Sequence, residues 1–123
     1  MKILFAVSEA APYIKTGGLG DVAQALPAEL AKVKDVEVSV FIPYYKSIKD
    51  NPDIAVEFVK SFSVQVAWRN EHVGIFKAVS RSKKLKYYFI DNEYYFYRDT
   101  IYGDYDDGER FTYFSLAVLE AMR

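Results

Sequence analysis

Three glycines and one lysine lie close together near the start of the chain, in a stretch that could bind phosphate. Residues 15–22 read K-T-G-G-L-G-D-V, so Lys15 precedes the glycines and Asp21 follows them. Glycine lets a ligand approach the backbone closely, and unpaired N–H groups at the start of a helix attract anions. Together with the charge of Lys15, these features predict a phosphate or diphosphate site. A glycine turn needed only for strand–helix packing would use the same residues.

Two common nucleotide-binding motifs are absent from this stretch. Gly17, Gly18 and Gly20 do not have the spacing of G-x-G-x-x-G. The lysine precedes the glycines, so G-x-x-x-x-G-K-[ST] is not met either. The sequence therefore disfavours a dinucleotide-dependent dehydrogenase and a P-loop NTPase.

The glycine stretch lies between a predicted strand and a predicted helix. The apolar run at residues 2–8 predicts a strand buried on both faces, followed by a loop over residues 9–20. Residues 21–33 predict a helix that Pro27 should kink or split. Residues 36–42 predict a second strand, which completes a βαβ unit with parallel strands. The predicted buried face of the helix consists of Val22, Ala25, Leu26, Leu30 and Val33.

The middle of the chain has a different pattern. Residues 54–68 and 72–79 alternate between apolar and polar side chains, which predicts an antiparallel hairpin with its turn near Asn70. Residues 86–90 predict a further strand. An antiparallel hairpin is therefore expected as an insertion in an otherwise parallel α/β fold.

The chain finishes in a predicted loop and helix. Residues 93–108 form a polar, tyrosine-rich loop, and residues 109–123 have the apolar spacing of a buried or half-buried helix. No glycine, proline or polar tail follows, although helices usually end with such signals. We therefore expect the N-terminal piece of a longer protein.

Composition excludes several classes of protein. The 123 residues suit a single domain, and a net charge of -1 gives no basic surface for nucleic acid or anionic membranes. The absence of cysteine excludes disulfides and thiolate zinc sites, and it suits a reducing cytosol. The apolar run Ile3 to Val7 is shorter than a signal-peptide core, and no stretch has the length of a membrane span.

Other polar residues give weaker indications of chemistry. His72 is the only histidine and lies on a predicted strand without a metal-ligand partner nearby, so we interpret it as a surface residue. Asp104, Asp106, Asp107 and Glu109 do not form a calcium-binding loop pattern. Solvated loop charge and the start of a helix explain this acidic run more simply.

The octapeptide at residues 15–22 resembles the N-terminal signature of bacterial glycogen synthases and plant starch synthases. Ser8-Glu9 and Pro12 before it, and Ala25-Leu26-Pro27 after it, fit the same pattern. Further similar segments follow in order, so that the resemblance spans nearly the whole chain. They are F-I-P-Y-Y at 41–45, Tyr102-Gly103, D-G-E-R-F at 107–111, F-S at 114–115 and L-E-A at 119–121.

The resemblance implies a retaining glycosyltransferase of the GT-B architecture, in which two Rossmann-like domains face each other across a cleft. Residues 1–123 would form the first part of the N-terminal domain, and the C-terminal domain would be absent from this chain. Such enzymes are cytoplasmic and transfer glucose from ADP-glucose to the non-reducing 4-OH of an α-1,4-glucan such as glycogen. They need no metal or other cofactor. We expect the fragment to be inactive without its own C-terminal domain.

The resemblance also implies roles for five residues. Lys15 would pair with the donor diphosphate and stabilise the charge on departing ADP, or it is a solvated loop lysine. Gly17 and Gly18 would donate backbone N–H groups to the same phosphates. Asp21 would cap the helix, contact glucose hydroxyls, or both. Tyr102 would approach the glucose, although the chain departs from the family just before it, with Asp-Thr at 99–100 where many relatives have Pro-Gly.

Two other functions fit the same residues. One is a free-standing Rossmann-like module that binds phosphate or glucan. The other is a different two-domain glycosyltransferase, such as a sucrose synthase relative, that uses UDP-glucose. The dense tyrosines suggest a glucan acceptor groove as a hypothesis, although tyrosine at the edge of a core is the usual arrangement.

Overall fold

A computed structural model describes all of residues 1–123 and places five strands in one sheet. None of its helices has the length and apolar character needed to cross a membrane. The elements are β1 (Lys2–Ala6), α1 (Gly18–Ala31), β2 (Glu37–Pro43), α2 (Lys46–Lys49), β3 (Val56–Val66), β4 (Arg69–Ala78), β5 (Leu85–Asp91), α3 (Glu93–Phe96) and α4 (Asp107–Ala121).

The sheet is mixed, with the strand order β1-β2-β5-β4-β3. Strands β1, β2 and β5 run parallel, whereas β4 runs antiparallel to both β5 and β3. Helix α1 connects β1 to β2 and packs on β2 and β5, while α4 packs on β3 and β5. This arrangement confirms the predicted βαβ unit and the predicted antiparallel hairpin. The hairpin lies between β2 and β5 in the chain and extends the sheet beyond β5.

The prediction that the first strand is buried on both faces is wrong. Strand β1 lies at the edge of the sheet and pairs only with β2. Its central residues Ile3, Leu4 and Phe5 are half-buried, while Val38, Val40 and Ile42 of β2 are buried. The apolar run predicted the strand correctly. A run of apolar residues does not show whether the strand lies inside the sheet or at its edge, where it is less buried.

Helix α1 differs from the prediction in its start and in its buried face. It begins at Gly18 rather than at Asp21, and it continues through Pro27 without being split. Its buried residues are Gly20, Ala23 and Pro27. Five apolar residues of the helix or just beyond it remain exposed, four of them from the predicted buried face. They are Leu19, Val22, Ala25, Leu26 and Val33.

The hairpin turn also lies two residues earlier than predicted. Asn70 pairs with Gln65 inside the β3–β4 ladder, and the turn is made by Ala67 and Trp68. Ala67 has a φ of 56°, a conformation that is uncommon for residues other than glycine. Asn70 is a residue type that is common in turns, but here it lies within a strand and does not mark the turn.

The predicted loop at residues 93–108 contains the short helix α3. The Asn92 side chain accepts a hydrogen bond from the Tyr95 N–H at 3.2 Å, which caps this helix. The following helix α4 starts at Asp107, and it buries Tyr113, Phe114, Ala117 and Val118. Several tyrosines are core residues rather than edge residues, since Tyr45, Tyr95 and Tyr113 are wholly buried.

Candidate functional site

The predicted site residues gather where the β1–α1 connection meets the segment before α4. Lys15, Gly17 and Gly18 lie at or just before the start of α1, and Asp21 lies in its first turn. Tyr102 belongs to the segment between α3 and α4. All five are exposed. The fold therefore brings one cation, the glycine backbone and one tyrosine to the same surface.

Glu9 connects these two parts of the site, a role that its position in the sequence does not indicate. It is only 3% exposed. One carboxylate oxygen accepts hydrogen bonds from the Thr16 hydroxyl at 2.9 Å and the Tyr102 hydroxyl at 3.0 Å. The other accepts from the backbone N–H groups of Thr16 and, at 3.4 Å, Gly17. The Tyr102 hydroxyl also lies 2.6 Å from the Ser8 hydroxyl.

The surroundings of Glu9 favour its charged form. Burial is the largest single influence and opposes ionisation. The hydrogen bonds from the Thr16 backbone, the Thr16 and Tyr102 hydroxyls and the Gly17 backbone together outweigh it. The pKa of Glu9 therefore lies below its ordinary value of 4.5, and the residue is a carboxylate at neutral pH.

Acid is expected to weaken the fold partly through Glu9. Because its pKa is lower in the folded state, its stabilising contribution is fully present above its ordinary pKa of 4.5 and is lost as the pH falls through the folded value. The thermal unfolding midpoint, measured from about pH 7 to about pH 3, should fall less steeply in Glu9→Gln than in the wild type. Asp106 and Asp107, whose pKa values are also lowered, contribute equally to both proteins. Identical pH dependence would contradict this role.

Gly20 lets the carboxylate and the lysine pack against α1. A Cβ atom at this position would lie 3.0 Å from Lys15 Cγ and 3.1 Å from both Lys15 Cβ and Glu9 Oε2. Such contacts are tighter than ordinary van der Waals packing, so any larger residue must displace one of these side chains. The third glycine of the stretch is therefore required by close packing beside Lys15.

Lys15 and Asp21 form an ion pair across the start of α1. Lys15 Nζ lies 3.0 Å from Asp21 Oδ1, and the two side chains are 50% and 59% exposed. The alternative that Asp21 caps the helix is wrong, because Gly17 is the N-cap residue and no side chain caps this end. An ion pair this exposed is worth little to stability. Both side chains are therefore free to exchange partners with a ligand.

The two backbone donors predicted to bind phosphate differ in their partners. The Gly17 N–H makes a long hydrogen bond to Glu9, whereas no group in the chain accepts from the Gly18 N–H. A free donor in the first turn of a helix is available to an anion. Gly18 is therefore the stronger candidate of the two glycines.

Two arginines hold the segment that carries Tyr102. Arg110 is fully buried, and its guanidinium donates to the backbone carbonyls of Tyr95 at 2.7 Å and Ile101 at 3.0 Å. Arg98 donates to the Tyr94 carbonyl at 2.8 Å. These bonds tie the segment to α3 and α4. Tyr102 is thereby placed against Glu9 by the core of the domain.

The same arginines neutralise most of the acidic run. Arg98 pairs with Asp106 at 2.6 Å and with Asp104 at 3.3 Å, and Arg110 pairs with Asp107 at 2.9 Å and with Asp104 at 3.2 Å. The prediction of solvated loop charge is therefore wrong for these three aspartates, which are half-buried. Asp107 does lie at the start of α4, as the helix-start interpretation predicts.

His72 and Glu109 lie outside the glycine stretch and differ in their surroundings. His72 is exposed on β4, which confirms the interpretation of it as a surface strand residue. Glu109 accepts hydrogen bonds from Tyr95, at 2.6 Å, and from Arg69. It is therefore bound within the domain, unlike the solvated charge that was predicted.

Comparison with known proteins identifies the family. A family model for the starch synthase catalytic domain matches residues 2–123. A glycogen synthase of Streptococcus equi subsp. equi (strain 4047) is 54% identical over 122 residues, which are 99% of this chain and 25% of that protein. A glycogen synthase of Streptococcus pneumoniae (strain 70585) is 51% identical over the same length and the same shares of each chain. The chain thus spans about a quarter of the length of these curated relatives.

A solved structure has the same fold. The catalytic domain of starch synthase IV from Arabidopsis thaliana, bound to ADP and acarbose, matches with a TM-score of 0.81 and 28% sequence identity. The match covers 98% of this chain and 24% of that chain.

Proposed function

The chain belongs to the starch synthase catalytic domain family, and we propose that the complete protein is a retaining glucosyltransferase in glycogen synthesis. Its donor is ADP-glucose, and its acceptor is the non-reducing 4-OH of an α-1,4-glucan. The 123 residues form the first part of the N-terminal domain of a GT-B enzyme. They do not transfer glucose without the rest of the protein.

The observation that carries this proposal is the arrangement at the start of α1. The Lys15 ammonium pairs with Asp21 in the first turn of α1, and the free Gly18 N–H lies at the start of the same helix. Both residues are exposed, and Glu9 holds the adjoining backbone at Thr16 and Gly17 in place. Transfer of glucose leaves ADP with a developing negative charge, and fixed positive groups at that position lower the barrier. Lys15 and Gly18 supply such groups without a metal ion.

The ion pair between Lys15 and Asp21 supports a change of partners when the donor binds. The diphosphate takes the place of the Asp21 carboxylate beside Lys15, since it offers more charge and more acceptor oxygens. Asp21 is then free to accept hydrogen bonds from glucose hydroxyls. Tyr102 donates a hydrogen bond to Glu9 and contacts the sugar with the exposed part of its side chain.

The nucleotide of the donor is tested by a direct comparison. ADP is the nucleotide bound in the solved starch synthase IV structure, which supports ADP-glucose for this family member. The complete protein should incorporate glucose into glycogen from ADP-glucose much faster than from UDP-glucose. Faster incorporation from UDP-glucose would place the protein among the UDP-sugar enzymes. Incorporation from neither donor would favour a module that only binds phosphate or glucan.

Replacing Gly20 by alanine in the complete protein should reduce kcat/KM for the donor roughly 10-fold or more, because the added methyl group displaces Lys15 or Glu9. The matched control is Gly108→Ala, which also adds a methyl group near the start of a helix but finds no atom within 4 Å. Initial rates at varied ADP-glucose concentration measure the effect. A normal rate for Gly20→Ala would show that this close packing does not matter to the donor site.

A further inference from the structure

We propose that Glu9 is a positioning residue that holds two parts of the donor site in one arrangement. These parts are the Lys15 loop, defined as residues 15–20, and Tyr102. The inference rests on the proposed function, since it assigns Glu9 to the site at which the donor binds.

Glu9 is the one residue that joins the two parts by hydrogen bonds. It bonds to Thr16 and Gly17 in the Lys15 loop and to Tyr102, which is 93 residues away in sequence. The remaining partner of Tyr102 is Ser8, which makes no bond to the loop. Without Glu9, no hydrogen bond would fix the distance between the loop and the tyrosine.

The hydrogen-bonding capacity of the Glu9 carboxylate is taken up by groups within the protein. Its carboxylate is almost completely buried and accepts four hydrogen bonds, so little of it is left for a ligand. Lys15, Gly18 and Tyr102 instead present exposed groups. Glu9 therefore acts on the donor through these residues and not by touching it.

A glutamine at position 9 can replace the hydrogen bonds of Glu9 but not its charge. All four partners of Glu9 donate, but two of them are the hydroxyls of Thr16 and Tyr102, which can also accept. The amide oxygen of a glutamine can accept from the Thr16 and Gly17 N–H groups while its NH₂ group donates to both hydroxyls. Glu9→Gln thus keeps the connection and removes the charge, whereas Glu9→Ala removes both.

The test compares wild type, Glu9→Ala and Glu9→Gln in the complete protein, with KM and kcat measured for ADP-glucose and for glycogen. Glu9→Ala should lower kcat/KM for ADP-glucose about 10- to 100-fold, because displaced groups at a reacting site cost this much. Its KM for glycogen should be unchanged. Glu9→Gln should stay within a few-fold of wild type. A general loss of folded protein would instead lower kcat and leave both KM values unchanged.

A second variant keeps the test valid if Glu9→Ala does not fold. Thr16→Val removes one hydroxyl bond to Glu9 and should raise the KM for ADP-glucose about 2- to 5-fold without changing that for glycogen. The matched control is Thr112→Val on the exposed side of α4, which should change neither KM. An unchanged donor KM in Thr16→Val would overturn the inference.

Failure of this inference can be told apart from failure of the proposed function. If the wild type transfers glucose from ADP-glucose and folded Glu9→Ala does so equally well, only the role of Glu9 is overturned. Equal losses in Glu9→Gln and Glu9→Ala would also overturn it, since they would show that charge and not position is required. A wild type that transfers glucose from no donor would overturn the proposed function, and this inference with it.

Discussion

Replacing Lys15 by alanine in the complete protein is expected to lower kcat for glucose transfer about 10²- to 10³-fold. The ammonium pairs with Asp21 in the first turn of α1, at the helix end that carries the free Gly18 N–H, and the charge on the leaving diphosphate would grow there. Loss of a fixed group that acts mainly in the transition state lowers kcat more than it raises KM. Initial rates with ADP-glucose and glycogen measure both constants.

The matched control for Lys15 is Lys32, the C-cap residue of α1, which also forms an exposed ion pair with an acidic residue of this helix. Lys32 Nζ lies 2.9 Å from Glu29 Oε1, at the far end of the helix. Lys32→Ala should leave kcat unchanged, since an exposed pair contributes little to stability. An equal loss of rate in both variants, or no loss in Lys15→Ala, would remove Lys15 from the mechanism.

Replacing Arg110 by alanine is expected to produce the largest loss of stability. The guanidinium is fully buried, donates to two backbone carbonyls and pairs with Asp104 and Asp107. Removing it leaves these acceptors without their buried partner, which costs about 3–5 kcal/mol in the free energy of unfolding. For a domain of this size, the thermal midpoint should fall by roughly 10 °C or more.

Arg123 provides the control for this prediction. It is exposed and lies 3.8 Å from Glu120, so Arg123→Ala should change the free energy of unfolding by less than about 0.5 kcal/mol. Thermal unfolding of both variants and the wild type, followed by circular dichroism, makes the comparison. Similar midpoints for Arg110→Ala and Arg123→Ala would show that the buried arginine does not anchor the segment before α4.

The general fold could be predicted from sequence because several elements have strong local signals. The apolar run of β1, the glycines around the start of α1 and the alternation of β3 and β4 each indicate one structure with few alternatives. Helix α3 could not be predicted in this way, since its four residues are too short for a helical period. The buried face of α1 was misassigned because apolar residues occur on more than one side of the helix, and Ala23 and Pro27 face the sheet.

In the site, residues that are adjacent in sequence could be predicted, whereas contacts between residues far apart in sequence could not. The glycine cluster and Lys15 could be recognised because they are adjacent in sequence. Glu9 was missed because its role depends on Tyr102, which approaches it only in the folded chain. The one local signal was an acidic residue at the end of a strand, just before a loop with unpaired N–H groups. The partners of Arg98 and Arg110 likewise required the fold.

The most direct test of the account is to measure where the complete protein places labelled glucose from ADP-glucose on glycogen. We expect the label to enter the polymer and to be released by an exo-acting hydrolase specific for α-1,4 bonds at non-reducing ends. This result would show transfer to the non-reducing 4-OH with retention of configuration. Label that fails to enter glycogen, or that resists this hydrolase, would contradict the assignment as an α-1,4-glucan synthase.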